Sequence, residues 1–314
     1  MTGGSLRSAG RVVVLGPTAS GKSDVAMALA ASGRIGPVEV VAVDAMQVYR
    51  GMDIGTAKPT LADRAAVPHH GLDLVEPSDE FTVAEFVRAA EQALDEIAAR
   101  GARAIMVGGT GLYLRALTDP MEIPGRWPEV RATLEARLLT EPVAVLHAEL
   151  EVLDPAAAAR MDPGNARRVV RALEVCLGGG RRFSSYGPGL DAYPPIETTQ
   201  VGLRWPRPLL AARIERRVHQ MMSAGLLAEV EALAERLPGW SRTARQALGY
   251  KELLDHLDGL SSLDEAIEVI IRRTRQFAVR QERWFRRDPR IQWLELHDDP
   301  VAEVVPVVEQ LVTV

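Results

Sequence analysis

Cysteine is nearly absent from the sequence, with Cys176 the single example in 314 residues. One thiol forms no internal disulfide, which excludes a disulfide-stapled scaffold and is typical of a reducing compartment. Long apolar runs are missing as well: no stretch of about 18 apolar residues occurs, and residues 1–10 lack the apolar segment of a signal peptide. We therefore expect a cytoplasmic protein without a membrane span, in which Cys176 is a buried structural thiol on an amphipathic helix.

An excess of positive charge is lacking too, since the formal net charge is −5. Taken alone, this total argues against a nucleic-acid partner. The arginines are clustered, however: residues 272–290 contain eight arginines against two acids, and residues 160–182 contain six against two. Because screening confines such fields to about 10 Å, a local cluster can attract an anion whatever the total charge.

Short β-branched runs alternate with helical segments through the first 115 residues. They predict strands at 11–15, 38–43 and 104–107, and helices at 23–31 and 81–100. A capping box of Thr82 and Glu85 opens the last of these helices. Strands separated by helices indicate parallel pairing in a layered α/β core.

The pattern changes after about residue 115. Helical periodicity predicts helices at 129–151, 155–177, 209–237, 250–257 and 262–287. A Gly/Pro-rich stretch at 178–195 precedes a strand at 199–203, which we expect to return to the sheet. The helical residues 116–199 are therefore predicted to be an inserted domain that divides the α/β core into residues 1–115 and 200–314.

A glycine-containing loop joins the first predicted strand to the first helix and matches the pattern G-x-x-x-x-G-K-[ST] in full. Its residues are Gly16, Pro17, Thr18, Ala19, Ser20, Gly21, Lys22 and Ser23. Such a loop turns backbone N–H groups toward an anion at a helix N-terminus, with Lys22 adding charge and Ser23 a hydroxyl suited to Mg²⁺. The alternative is an ordinary strand–turn–helix junction. The loop alone does not separate ATP from an allylic pyrophosphate.

Together, the loop and the alternating elements predict an α/β fold: a P-loop NTPase-like parallel sheet flanked by helices, with an all-helical inserted domain. Asp44 ends the second strand. Because the carboxyl ends of strands border the ligand crevice in open α/β sheets, Asp44 should face the phosphate loop. There it can accept a proton or help to hold a metal. The alternative is an N-cap for the segment that follows.

Seven segments, in the same order, resemble the bacterial tRNA dimethylallyltransferase (tRNA isopentenyltransferase) family. They are the loop at 16–23, Asp44 through Pro59, Pro68-His69-His70, Gly108 through Tyr113, Arg167 through Glu174, Leu248 through Glu252, and Arg275 through Gln281. The loop is shared with many NTPases, whereas the run from Asp44 to Pro59 is close to diagnostic of this family.

The resemblance implies transfer of the dimethylallyl group of dimethylallyl pyrophosphate to N6 of adenine 37 in tRNAs reading codons that start with U. Carried over, Asp44 is the general base on an amine whose lone pair is delocalised. Thr18 and Arg217 act on the pyrophosphate, beside the loop at 16–23 and Mg²⁺ held by Ser23. The alternative for Arg217 is a solvated helix arginine.

The resemblance also implies contacts with the anticodon stem-loop, whose target base must leave its stack to react. The matching positions are Asp44, Ala45, Met46, Gln47, Thr110, Arg131, Arg167, Arg168, Val169, Val170, Arg171, Gln246, Ala247, Leu248, Gly249, Tyr250 and Lys251. Thr110 can instead be a helix N-cap, and the arginines a solvated face.

The last predicted helix supports an RNA partner independently of the resemblance. Basic and aromatic residues share one of its faces: Arg273, Phe277, Arg280, Trp284 and Arg287. The alternative is that at least two of its rings, among Phe277, Trp284 and Phe285, pack in the core.

Three other functions use the same features. An ATP-dependent small-molecule kinase needs the loop but not the basic insertion, and a prenyltransferase for free adenine nucleotides needs neither the insertion nor the C-terminal arginines. A tRNA-binding protein with a relict loop has no need of an intact Lys22 and Asp44. We favour the tRNA-modifying enzyme and expect it to act as a monomer.

Overall fold

The computed structural model describes residues 11–187, 189–190, 192–236 and 238–313. Strands in these ranges are β1 (Val12–Leu15), β2 (Val38–Val43), β3 (His69–His70), β4 (Arg103–Gly108), β5 (Thr199–Arg204) and β6 (Gln292–Glu295). Helices are α1 (Lys22–Ser32), α2 (Leu61–Ala66), α3 (Val83–Ala99), α4 (Gly111–Thr118), α5 (Pro128–Arg137), α6 (Val143–Leu153), α7 (Pro155–Ala158), α8 (Ala166–Gly179), α9 (Arg207–Ser223), α10 (Leu226–Arg236), α11 (Arg242–Arg245), α12 (Tyr250–Leu257), α13 (Leu263–Phe285) and α14 (Pro300–Thr313).

The strands form one sheet in the order β3-β2-β4-β1-β5-β6, and every pairing is parallel. This confirms the predicted parallel α/β fold and the return of the strand near residue 200, since β5 pairs with β1. The register aligns the strand ends: Gly108 of β4 lies opposite both Leu15 of β1 and Val43 of β2. The loops that follow these three strands therefore start side by side.

Both faces of the sheet are covered by helices. In β1, Val13 and Leu15 join one apolar cluster with α3, α4, α10, α12 and α13, whereas Val12 and Val14 join another with α1, α9 and α14. All four β1 residues are at most 1% exposed. Burial on both faces explains why the strand is a continuous apolar run rather than an alternating one. The predicted capping box opens α3, with Thr82 Oγ1 accepting from Glu85 N–H.

The prediction of long, unbroken helices was wrong in three places, each at a helix-breaking residue. Pro142 separates α5 from α6, Pro163 lies between α7 and α8, and Gly225 separates α9 from α10. Proline removes a backbone donor and clashes with the preceding turn, and glycine costs about 1 kcal/mol in a helix interior. The strands β3 and β6 and the helices α2 and α14 were not predicted.

The chain divides into two compact units, residues 1–118 with 195–314 and residues 119–194. In the second unit, α5 to α8 enclose a core that includes Leu146, Leu150, Val169 and Leu173. Cys176 packs against this core but is only half-buried, contrary to our expectation, and desolvation raises the pKa of its thiol. Across the described part of the chain, no helix has the length and apolar character to cross a bilayer.

Candidate functional site

Three loops meet at the carboxyl ends of neighbouring strands. Gly16 follows β1, Asp44 follows β2 and Gly109 follows β4, each one residue past the aligned row of the sheet. Since neighbouring strands are about 4.8 Å apart, the starts of the first two loops are separated by about 10 Å, with Gly109 between them. The sheet thus places the predicted phosphate loop and the predicted carboxylate at one edge.

Side chains satisfy the carbonyl groups of the phosphate loop. Lys22, Arg213 and Trp205 donate to three of its carbonyls, and the Arg213 guanidinium also lies 4.4 Å from the Trp205 ring centroid. The donor–acceptor pairs are Lys22 Nζ to Pro17 O at 2.7 Å, Arg213 Nε to Ala19 O at 2.9 Å and Trp205 Nε1 to Ser20 O at 3.0 Å. Because side chains donate to these carbonyls, the carbonyl groups of the loop are satisfied within the protein.

Backbone N–H groups of the same loop are left available. Those of Ala19, Gly21, Lys22 and Ser23 have no acceptor within the described ranges. Gly21 has a φ of 91°, and a Cβ there would lie 2.5 Å from Pro300 Cγ, so a side chain is excluded on both counts. Orphan N–H groups at the start of α1 form the kind of cradle that binds phosphate oxygens.

Two cations accompany the cradle. Burial, and secondarily the nearby Arg217 guanidinium, lower the pKa of Lys22 to about 7, against the opposing effects of Asp44 and Asp24. Burial also lowers the pKa of Arg217, while Asp44 and Asp24 raise it. Arg217, on α9, forms no hydrogen bond or ion pair with another described residue. Desolvated cations without a full set of partners favour an anionic ligand.

Asp44 caps the turn that follows it with one carboxylate oxygen and keeps the other available as a base or ligand. Its Oδ1 accepts from the N–H groups of Met46 at 2.8 Å and Gln47 at 3.4 Å, so one oxygen caps the following turn. Its Oδ2 has no hydrogen-bond partner among the described residues. The Asp44 carboxylate raises the pKa of both Lys22 and Arg217, so it lies within electrostatic reach of the two cations.

Gln281 joins the loops and was missed as a functional residue. Its Oε1 accepts from Thr18 N–H at 2.9 Å and its Nε2 donates to Gly109 O at 2.9 Å. It is 7% exposed and shares a helical face with buried Ala278 and Phe285. A glutamine at a core position of a helix is the pattern that could have identified it.

The segment after Asp44 is held by a half-buried carboxylate, Glu229, and a buried lysine, Lys58. Glu229 on α10 accepts from the N–H groups of Asp53 at 3.0 Å and Ile54 at 2.7 Å, and from Tyr250 Oη at 2.5 Å. The Nζ of Lys58, whose side chain is 1% exposed, donates to Tyr49 O at 2.5 Å. These bonds fix the segment from 44 to 59, which explains why its sequence is distinctive. Sequence patterns did not identify Glu229 for this role.

The positions expected to contact tRNA differ in how far their side chains are exposed. In the core unit, Gln246 is exposed, Lys251 pairs with Asp255, and Thr110 Oγ1 accepts from Ala45 N at 3.3 Å. Several positions have buried side chains or none to offer, namely Val169, Val170, Ala247, Gly249 and Tyr250. Met46 and Leu248 are half-buried, and Gln47 Nε2 donates to Thr56 O at 3.0 Å and Ala57 O at 3.2 Å. The N-cap alternative for Thr110 is also realised in part, since its carbonyl accepts from Leu114 N at 3.1 Å.

The four arginines of the helical unit that were expected to contact tRNA fall into two groups. Arg131 and Arg171 pair with Glu174, at 3.2 Å and 2.9 Å, and Glu174 itself is 1% exposed. Arg167 and Arg168 are exposed and form no ion pair with a described residue. The first pair therefore serves the internal structure of this unit, whereas the second pair is available to a partner.

The helix α13 follows the core alternative for its rings. Phe285 is buried, and Trp284 packs against the core while remaining partly exposed. Arg273 pairs with Glu252, and the Arg280 guanidinium lies 5.7 Å from the Phe277 ring centroid. On the predicted mixed basic and aromatic face, Arg273 and Trp284 are used by contacts inside the protein, whereas Arg280 and Arg287 are exposed.

The parallel sheet, the N–H cradle after β1 and the carboxylate after β2 define a P-loop protein of the α/β class. A family model described as IPP transferase matches residues 47–288. The chain therefore belongs to the IPP transferase family of prenyl-transferring enzymes.

Relatives that carry the name tRNA dimethylallyltransferase align with this chain over most of its length. The tRNA dimethylallyltransferase of Kineococcus radiotolerans is 50% identical over 309 residues, covering 94% of this chain and 96% of the relative. That of Streptomyces coelicolor is 48% identical, covering 90% and 89%.

Solved structures show the same fold. The tRNA isopentenylpyrophosphate transferase of Bacillus halodurans is 37% identical with a TM-score of 0.69, covering 98% of this chain and 96% of that one. A eukaryotic dimethylallyltransferase acting on tRNA is 29% identical with a TM-score of 0.74, covering 91% and 73%.

Proposed function

We propose that the chain transfers the dimethylallyl group of dimethylallyl pyrophosphate to N6 of adenine 37 in tRNAs that read codons starting with U. One observation carries the proposal furthest: aligned strand ends place Asp44, whose Oδ2 has no described hydrogen-bond partner, at the same end of the sheet as a cradle of backbone N–H groups and within electrostatic reach of the desolvated Lys22 and Arg217. A base next to a diphosphate site is what alkylation of an amine by an allylic pyrophosphate requires. The names of the relatives supply the acceptor, a tRNA.

Lys22, Arg217 and the loop from Gly16 to Ser23 bind the pyrophosphate in this proposal. As the allylic C–O bond breaks, negative charge grows on the leaving oxygen, and preorganised N–H donors and cations stabilise that charge without rearranging. The Thr18 hydroxyl has no partner among the described residues and can donate to the same oxygen. A diphosphate also explains why a guanidinium stays unpaired in a desolvated site.

The donor set fits a magnesium ion only together with the substrate. No group of three or more His, Cys, Asp or Glu that could hold a metal occurs within the described ranges. The exposed hydroxyl of Ser23 lies in the first turn of α1, where one protein oxygen can join oxygens of the pyrophosphate. Bound in this way, Mg²⁺ would offset the charge of the diphosphate.

Asp44 acts as the general base on the acceptor amine. The lone pair of N6 is delocalised into the purine ring, so the amine becomes nucleophilic as its proton leaves. The N6–C1 bond forms while the C1–O bond breaks, the proton moves to Asp44 Oδ2, and pyrophosphate departs. The other oxygen, Oδ1, stays bound to Met46 N–H, which keeps the carboxylate oriented.

The target adenine reaches this site from an anticodon loop, and exposed polar groups are available for its backbone. Arg167 and Arg168 are exposed cations of the helical unit without an ion pair to a described residue, and we assign them to phosphate contacts. The residues Arg131 and Arg171, which are paired with Glu174, support the same helix from within.

The test is direct. The protein is incubated with Mg²⁺, isotopically labelled dimethylallyl pyrophosphate and tRNA that lacks the modification, and digested nucleosides are separated by mass. N6-dimethylallyladenosine at position 37, with release of pyrophosphate, is the expected result. Label on free adenine nucleotides but not on tRNA, or phosphoryl transfer from ATP without tRNA, would replace the proposal with one of its rivals.

A further inference from the structure

Gln281 connects the phosphate loop to the loop after β4. Both polar atoms of its amide are used, with Thr18 N–H donating to Oε1 and Nε2 donating to Gly109 O, each at 2.9 Å. The orientation of the amide is therefore fixed, because exchanging its oxygen and nitrogen would set donor against donor. At 7% exposure, the side chain has little water to substitute for either bond.

A second bond extends this connection to the catalytic carboxylate. Thr110, next to Gly109, accepts from Ala45 N–H at 3.3 Å, and Ala45 is next to Asp44. The path from the loop that holds the donor to the base therefore runs through Gln281 and Thr110. Each step crosses between loops that follow neighbouring strands.

The local backbone is shaped around the glutamine. A Cβ on Gly109 would lie 2.3 Å from Gln281 Nε2, so the close approach requires a glycine at that position. On the other side, the bond withdraws Thr18 N–H from the anion cradle. Thr18 can then act on the pyrophosphate only through its hydroxyl, whose position depends on the peptide that Gln281 holds.

We propose that Gln281 is a positioning residue for prenyl transfer, an inference that rests on the proposed function. It sets the distance between the anchored donor and the base by holding the Thr18 and Gly109 peptides together. Since a displacement of about 1 Å at a reacting centre can cost about 10²-fold in rate, loss of the bridge lowers kcat by about that factor. Affinity for tRNA stays within about twofold, because the glutamine is buried away from the surface.

Four variants test the inference under steady-state and tRNA-binding conditions. Gln281→Met removes both bonds at similar volume, and Gln281→Glu keeps the acceptor for Thr18 but, when ionised, cannot donate to Gly109. The matched controls are Gln92→Met and Gln92→Glu on the exposed face of α3, where the side chain donates to Glu96. Gln281→Met should lose about 10²-fold in kcat with unchanged tRNA affinity, and Gln92→Met should match the parent.

The pH dependence of kcat for Gln281→Glu distinguishes a positioning role of Gln281 from a purely structural one. The carboxyl group that this substitution introduces can both accept and donate when it is protonated. The kcat of Gln281→Glu relative to the parent should therefore rise as the pH falls from 8 to 5.5, by about tenfold. The ratio for Gln92→Glu should stay flat. This measurement also decides the case if Gln281→Met does not fold.

The outcomes separate the two proposals. Parent protein that makes no modified tRNA overturns the proposed function, and this inference falls with it. If the parent is active, a kcat of Gln281→Met within about threefold of the parent overturns the inference alone, because the expected loss is about 10²-fold. A flat pH ratio for Gln281→Glu, or losses confined to the KM for tRNA, overturns it as well.

Discussion

The affinity for dimethylallyl pyrophosphate should fall steeply with pH above neutrality, because Lys22 is charged only below about pH 7 in the free protein. Burial is the first cause of its low pKa, and Arg217 is the second. A bound diphosphate favours the ammonium form and raises that pKa, so binding above pH 7 requires uptake of a proton. With a pKa of about 7, roughly one protein in eleven carries the charge at pH 8, which weakens binding about tenfold at pH 8 and about 10²-fold at pH 9.

Isothermal titration of the donor, with Mg²⁺ and without tRNA, measures this directly from pH 7.5 to 9. The terminal phosphate of the donor is already ionised in that range, since its pKa is about 6, so the ligand adds little to the slope. Titrations in two buffers of different ionisation enthalpy should show uptake of about 0.9 proton at pH 8. Lys22→Arg retains a charge that does not titrate and should flatten the profile.

Arg217→Gln removes the second cause of the low pKa of Lys22 and should move the fall in affinity to higher pH, while weakening binding at every pH. Affinity for the donor that is constant from pH 7.5 to 9, without proton uptake, would exclude titration of Lys22 as a determinant of donor binding. Lys22 would then either keep its ordinary pKa or lie outside the diphosphate site.

Two further predictions concern the segment that follows Asp44 and the helical unit. Glu229→Ala leaves three backbone N–H groups, those of Asp53, Ile54 and Gly55, and Tyr250 Oη without their acceptor. It should therefore lower the free energy of unfolding in urea by about 2–4 kcal/mol, whereas Tyr250→Phe should lower it by about 1 kcal/mol. Equal losses for the two variants would show that the backbone bonds to Glu229 contribute little. Neutralising Arg167 and Arg168 together should reduce the slope of log affinity for tRNA against log salt by about two. Arg131→Gln should destabilise the protein and change that slope less, because Arg131 is paired with Glu174. A larger change of the slope for Arg131→Gln than for the double variant would exclude Arg167 and Arg168 from the interface.

The sheet and its phosphate loop were predictable because their determinants are local. A β-branched run, glycines at fixed spacing and a helical segment occur within about twenty residues of Arg11. Asp44 was predictable from the end of its strand, and the register confirms that the strand ends align. The helix breaks at Pro142 and Gly225 were also within reach, since both residues disfavour a helix interior.

Bonds between distant parts of the chain could not be predicted. Gln281 is 263 positions from Thr18 along the sequence, and no periodicity relates them. Ion pairing was equally hidden: Arg171 is bound to Glu174, whereas Arg168 pairs with no described acid, although both occur in one run of arginines. The short strand β6 has no strong pattern, because only its inner residues, Trp293 and Leu294, are partly buried.

In the proposed mechanism, Oδ2 of Asp44 receives the proton of the attacking amine while Oδ1 accepts from Met46 N–H. Asp44→Asn tests it cleanly, because an asparagine oxygen can still accept from Met46 N–H. For Asp44→Asn we expect a single-turnover rate at least about 10²-fold below the parent at saturating donor and tRNA, and for Asp53→Asn in the same segment a parent-like rate. A rate within a few-fold of the parent for Asp44→Asn, with donor and tRNA both bound, would exclude Asp44 as the general base.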